Sequence, residues 1–256
     1  MNPLDRFRLD GRRVLVTGGT KGIGLAICRA LAGVGAARVL VNSEEAEETA
    51  APVLADLRAD FPGTEFTFLG QDLAAPEAGT KLAEAAGPEG VDVLVLCAGV
   101  QLDKIWTEAT TRDFDIQVAV NLRSSLELLQ ALVSPMEARG WGRVIVISSI
   151  QAHRPAKSMM VYAATKAALG NIVKNLARIS GPRGVTVNSI SPGFIDTPRN
   201  AKVMSDEEYL RDVPRWVPVG RPGEAFEVAN VALLLASEAG AYINGADYAV
   251  DGGIGS

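Results

Sequence analysis

Seven short runs rich in β-branched residues recur along the chain, and longer Ala/Leu-rich segments separate most of them. The runs are Arg13–Thr17, Arg38–Asn42, Glu65–Leu69, Val91–Gly99, Gly142–Ser149, Gly184–Ser191 and Asp247–Val250. Most are apolar nearly throughout rather than alternating, as strands are when both faces of their sheet are covered. Helical patterns fill Gly22–Val34, Ala46–Asp60, Pro76–Ala86, Thr111–Ala138, Ser158–Ser180 and Glu224–Ala236. Strand, helix, strand repeated in this way predicts an α/β fold: a doubly wound parallel sheet of about seven strands with helices on both faces. With 256 residues, 48% of them hydrophobic, one domain spanning 1–256 can hold a full core. The segment Gly193–Glu224, rich in proline and charge, fits neither pattern and is expected to form a mobile substrate lid around 194–219.

The balance of charged residues excludes several functions. A net charge of −5 with scattered basic residues offers no footprint for nucleic acid or an anionic membrane. No apolar run approaches bilayer length, and the stretch "MNPLDRFRLDGRR" carries no apolar signal region. Two cysteines, Cys28 and Cys97, both in apolar surroundings, suit a reducing compartment better than a disulfide framework. With a single histidine, His153, they make no typical metal site. A soluble cytoplasmic protein without metal is the expectation.

Two motifs carry chemistry. After the first strand comes "TGGTKGIG", Thr17–Gly24, leading into a helix. Glycines allow a tight turn and close backbone approach, and a helix start offers free N–H groups and the positive end of a dipole. Such a turn suits a phosphate, although a glycine turn can also merely join strand to helix. The second motif is Tyr162 and Lys166, four residues apart in "VYAATKAALG" and so on one helical face. Alone, that pair is equally readable as an amphipathic tyrosine beside a lysine whose stem lies on apolar surface.

Together these stretches resemble the classical short-chain dehydrogenase/reductase family. The likeness runs through Thr-Gly-x-x-x-Gly-Ile-Gly, "QDL", "DVLVLCAG", Asn121 in "VAVNLRSS", Ser149 thirteen residues before Tyr162, "VTVNSISPGFIDTP" and "YINGADYAVDGGI". It spans essentially the whole chain. It implies a single-domain Rossmann fold, with Asn121, Ser149, Tyr162 and Lys166 as the catalytic set. It also implies cofactor contacts at Gly18, Thr20, Lys21, Gly22, Ile23 and Gly24 of the turn, and at Asn42 and Ser43 ending the second strand. Further contacts fall on Asp72 and Leu73, on Cys97, Ala98 and Gly99, on Tyr162 and Lys166, and on Pro192, Gly193, Ile195 and Thr197. In one departure, Cys97 stands where the family usually has an asparagine that steadies the sheet, a role cysteine fills poorly.

The resemblance implies an NAD(P)-dependent oxidoreductase interconverting a secondary alcohol and a ketone. A phenol is a poor base at neutral pH, and a neighbouring ammonium favours its anion. Serine would fix the substrate oxygen. The family's NAD-selecting aspartate is missing from Asn42-Ser43-Glu44, and Lys21 sits in the turn, so NADP(H) is favoured and NAD(H) is the alternative. An inward Glu44 or Glu45 would oppose a 2′-phosphate. For the small carbonyl or alcohol substrate, Gln101, Trp106, Gln151, His153, Met160 and Trp216 are candidates. Arg199, Lys202, Arg211 and Arg215 make the lid basic, and Arg139 with Arg183 offers a landing site for a carrier protein. The family precedent is a homotetramer, which here would bury Leu126, Leu129 and Leu169 between subunits. One rival reading is a regulator that binds nucleotide without turnover, though the full catalytic set argues against it. Another is an enoyl reductase, whose tyrosine and lysine are usually spaced further apart than four residues.

Overall fold

In the computed structural model, residues 2–87 and 89–256 are described, so residues 1 and 88 of the expected 1–256 domain lie outside this account. Nine strands are defined among them: β1 (Arg13–Thr17), β2 (Arg38–Ser43), β3 (Glu65–Gly70), β4 (Val93–Leu96), β5 (Gly142–Ile147), β6 (Val185–Pro192), β7 (Ile195–Asp196), β8 (Gly223–Glu224) and β9 (Asp247–Val250). The helices are α1 (Gly22–Gly33), α2 (Glu47–Asp60), α3 (Ala78–Ala85), α4 (Thr111–Val118), α5 (Ser124–Arg139), α6 (Met160–Ser180), α7 (Ala201–Met204), α8 (Glu207–Asp212) and α9 (Ala225–Ala236). Seven strands form one parallel sheet in the order β3-β2-β1-β4-β5-β6-β9.

Alternation along each strand divides the core in two. Val14, Val16, Val39, Val41, Val93 and Val95 face one side, where α1, α2 and α9 cover them. Leu15, Leu40, Leu94, Val144 and Val146 face the other, beneath α3, α5 and α6. Successive side chains of a strand point to opposite faces, so a strand apolar on both faces needs a helical layer on each. The chain reverses direction across the sheet between β1 and β4. The C-terminal ends of those strands therefore open a crevice, the usual ligand position in such sheets.

A threonine holds that crevice edge. Thr17, the last residue of β1, accepts hydrogen bonds from the backbone N–H groups of Cys97 and Ala98 at 3.0 Å each, and its hydroxyl donates to Val95 O at 3.4 Å. The end of β4 is thus tied to β1 without help from the Cys97 side chain. Burial pushes the Cys97 thiol up to about 11, which marks it as an inert apolar filler. Thr17→Val keeps the shape but leaves two N–H groups without their acceptor. It should lower stability by about 2–4 kcal/mol. In urea the midpoint should fall with an unchanged slope, and Thr17→Ser should restore most of it.

Three sequence expectations are corrected here. The long helix over Thr111–Ala138 is two α-helices joined by a π-helical turn, Ala119–Arg123, with Asn121 at its centre. Leu129 and Leu169 face the inner core and are nearly inaccessible, and Leu126 alone of the three is exposed. The segment Gly193–Glu224 is also not structureless. β7 and β8 pair in parallel at its two ends, Ile195 with Gly223 and Asp196 with Glu224, and α7, α8 and short 3₁₀ turns fill the span between. Its helices are four and six residues long, too short to show a 3.6-residue pattern in the sequence.

Candidate active site

The turn between β1 and α1 is shaped by its glycines. Gly18 and Gly22 take positive φ, +65° and +54°. At Gly24 a Cβ would lie 2.1 Å from the carbonyl oxygen of Gly18 and could not be accommodated. Lys21 ends the turn without capping α1 by its side chain, so the first N–H groups of the helix stay open toward the cleft. Thr20 Oγ1, in the same turn, is buried with no hydrogen-bond partner among the described residues. A cradle of backbone N–H groups with an unpartnered hydroxyl suits a phosphate-bearing group.

One cleft of about 770 Å³ runs from this turn across the ends of β4 and β5 to the segment after β6. Every residue expected to touch the cofactor borders it, whereas Asn121 and the substrate candidates Trp106, His153 and Met160 do not. At the near end, Lys21 Nζ pairs with Glu45 Oε1 at 3.0 Å, and the lysine ammonium holds the Glu45 carboxyl below its usual range. Glu44 is the glutamate that borders the cleft. The Asn42 amide is already spent, donating to Leu69 O and Gln71 O at 2.9 and 3.2 Å. Asp72 accepts from the backbone N–H of Ala74 at 2.8 Å, which caps a turn well before α3 begins.

The far end is built on α6 and β5. Tyr162 and Lys166 lie on one face of α6, both buried, as their four-residue spacing requires. Lys166 Nζ donates to Ile147 O at 2.7 Å and lies 5.7 Å from the centre of the Tyr162 ring. Burial lowers the pKa of that ammonium, Tyr162 opposes the shift, and the nearby Arg199 guanidinium adds to it. Ser149 follows β5, with its Oγ accepting from the Gln151 N–H at 3.1 Å. Ser148 borders the cleft as well, with its hydroxyl donating to Lys166 O at 3.4 Å.

Asn121 stands behind the cleft wall. Its Oδ1 accepts from Val100 N–H at 2.7 Å, and its Nδ2 donates to Val100 O and Thr165 Oγ1 at 2.9 and 3.1 Å. The π-helical turn aims this amide at the strand-end loop. Asn121 therefore fixes the backbone beside Gly99.

Several substrate candidates are redistributed. His153 points elsewhere, its Nε2 lying 2.6 Å from Asp247 Oδ2. Trp106 is 71% exposed and does not border the cleft. Met159 borders it in place of Met160. Gln101, Gln151 and Trp216 remain at its edge. Trp216 packs with Phe194 and Tyr209 at ring-centre distances of 5.4 and 5.8 Å, forming an aromatic wall on the segment Gly193–Glu224. Sequence reasoning missed Phe194, Tyr209 and Ile254, because only the folding of Gly193–Glu224 and the returning C-terminal segment bring them there. Arg139 pairs with Asp92, and Arg183 with Glu137, so neither is a free cation for a carrier protein.

Comparisons with known proteins agree with this geometry. A family profile described as enoyl-(acyl carrier protein) reductase matches residues 18–255. The 3-oxoacyl-[acyl-carrier-protein] reductase of Aquifex aeolicus is 34% identical over 97% of this chain and 99% of its own. Gluconate 5-dehydrogenase of Gluconobacter oxydans is 31% identical over 99% and 98%. A crystal structure of a 3-oxoacyl (acyl-carrier-protein) reductase from Agrobacterium tumefaciens with NADP bound superposes with a TM-score of 0.92, at 38% identity over 99% and 98% of the two chains. The chain belongs to the short-chain dehydrogenase/reductase family of NAD(P)-dependent oxidoreductases.

Proposed function

We propose that this chain is an NADP(H)-linked ketone reductase, or the corresponding alcohol dehydrogenase, with Tyr162, Lys166, Ser149 and Asn121 as its working residues. The observation that carries this reading is the burial of Tyr162 and Lys166 on one helical face at the cleft, with Ser149 at the neighbouring strand end. A bound nicotinamide supplies or accepts the hydride. The Tyr162 hydroxyl delivers a proton to the carbonyl oxygen, or removes one from the alcohol, while the Ser149 hydroxyl donates a second hydrogen bond to that oxygen. The Lys166 ammonium stabilises negative charge on the phenol oxygen during transfer. Asn121 keeps the Val100 backbone, and with it Gly99, in position. The lid Gly193–Glu224 moves on the β7–β8 pair to admit substrate and exclude water. Cys28 and Cys97 are free thiols, which supports a reducing, cytoplasmic setting. The exposed Phe114, Ile116 and Leu126 along α4 and α5 favour a homo-oligomer, a tetramer by family precedent.

The test is a turnover screen of ketones, keto acids and polyols with NADPH/NADP⁺ and NADH/NAD⁺. NADP(H) should show the lower KM. Lys21→Ala should reduce that preference about ten-fold or more, because one charge-assisted contact to the 2′-phosphate is lost. Glu45→Gln should strengthen it by freeing Lys21 from its present partner. A parent that prefers NAD(H), together with a Glu44→Ala variant that shifts toward NADP(H), assigns cofactor selection to Glu44 instead. Absence of turnover with every substrate and both cofactors favours the regulator.

A further inference from the structure

Arg199 occupies the waist of the cleft rather than the solvent side of the lid. From the short 3₁₀ turn Pro198–Asn200 its Nη2 donates to the carbonyl oxygen of Gly99 at 2.6 Å. Gly99 is a point of convergence. A Cβ placed there would lie 3.4 Å from Asn121 Oδ1, 3.5 Å from Lys166 Nζ and 3.8 Å from Arg199 Nη2. A guanidinium and an ammonium therefore flank one glycine, each with a backbone carbonyl as its hydrogen-bond acceptor. Among the described residues no carboxylate lies within ion-pair distance of either.

The opposite wall is positive too. Thr197 lies against the start of α1, its Cβ and Cγ2 3.4 Å from where a Cβ of Gly22 would be, so Arg199 springs from beside the open N–H groups of that helix. Gly18, at the other side of the turn, approaches Ala98 so closely that a Cβ there would lie 3.1 Å from Ala98 Cα. The waist is thus bounded by the turn, the end of β4 and the lid, and carries two cations and a helix N-terminus with no anion among them. Like charges held this close, one of them buried, call for a negative ligand. The aromatic wall of Phe194, Tyr209 and Trp216, where a substrate would sit, is a separate part of the lid.

We propose that Arg199 is a cofactor-holding residue whose guanidinium leaves the Gly99 carbonyl and grips the pyrophosphate of the dinucleotide, drawing the lid down as the cofactor loads. This rests on the dinucleotide reading above. Guanidinium is the side-chain cation suited to the task, because its planar fork can donate two parallel hydrogen bonds to phosphate oxygens. The Gly99 carbonyl serves as the alternative acceptor in the free chain, so the same side chain bars the groove until an anion displaces it.

The experiment is direct binding by calorimetry, on the parent, Arg199→Ala and Arg199→Lys, with three probes. NADPH carries pyrophosphate and nicotinamide, 2′-phospho-ADP-ribose carries pyrophosphate alone, and adenosine 2′-monophosphate carries neither. Arg199→Ala should weaken the first two by about ten-fold or more and leave the third unchanged. Arg199→Lys should recover only part of the loss, since it cannot fork. Hydrogen exchange across 198–216 should slow on adding NADPH to the parent and much less in Arg199→Ala. Unchanged or tighter NADPH binding by Arg199→Ala overturns the proposal, making the residue a barrier only. Unchanged NADPH affinity with a raised KM confined to acidic substrates overturns it in favour of a substrate contact. A parent that binds no dinucleotide overturns this proposal and the cofactor reading together.

Discussion

Tyr162→Phe is expected to bind NADPH as the parent does and to turn over about 10²–10⁴-fold more slowly. The ring is 5% exposed and packs in α6 beneath the cleft, so phenylalanine keeps its volume and contacts. No hydrogen bond from another side chain or the backbone to the tyrosine hydroxyl is present among the described residues, so deleting it leaves no buried group unpaired. The stability of the variant should stay within about 0.5 kcal/mol of the parent, which separates loss of chemistry from loss of fold. The measurements are kcat, the NADPH dissociation constant and a melting curve on the same preparation. Turnover within a few-fold of the parent removes Tyr162 from the mechanism.

Lys166→Met should abolish turnover and, at neutral pH, make the protein more stable. The ammonium is 3% exposed and has one backbone carbonyl, Ile147 O, as its acceptor. Burial lowers its pKa, so holding it charged works against folding. The sign follows from proton binding. Between the lowered folded value and the unfolded value of 10.5, the unfolded chain holds more protons, and stability from this group rises with pH. Below the folded value the penalty is present in full. Methionine fills similar space without charge. It should therefore add about 1–2 kcal/mol at pH 7, a rise of roughly 2–8 °C in Tm. The difference should shrink as pH climbs toward that of free lysine. A variant that melts below the parent at pH 7 would show that the ammonium, with its single acceptor, contributes net stability.

Much of this was legible in the sequence, for identifiable reasons. Buried parallel strands must be apolar on both faces, so β1, β2, β5 and β6 announce themselves as unbroken runs. The proposed working residues also sit at fixed spacings on regular elements: Tyr162 and Lys166 one helical turn apart, Ser149 just past a strand end. Side-chain direction was not legible. That Lys21 meets Glu45 while Glu44 borders the cleft depends on how the chain leaves β2, which no local pattern records. Leu126 and Leu129 are neighbours one turn apart on α5, and the edge of the buried face runs between them, a boundary set by what packs on the helix rather than by its local pattern. His153 pairs with Asp247, a partner 94 positions away at the start of β9. Arg199 read as one of four basic residues on a loop, and only the folding of Gly193–Glu224 carries it across to Gly99.

The pairing of β7 with β8 bears on how such an enzyme changes its diet. Two residues on each side join the segment's ends, so everything between Thr197 and Pro222 hangs from a closed stem beside the main sheet. Lengthening a closed loop adds little entropic burden, about 0.6 kcal/mol for each doubling. Beyond Asn200, residues on the hanging part can therefore be exchanged, inserted or deleted without disturbing Arg199, the strands that carry Ser149 or the helix that carries Tyr162 and Lys166. New substrate shapes become accessible through a replaceable appendage, while the proposed proton-transfer residues and the nucleotide groove are inherited intact.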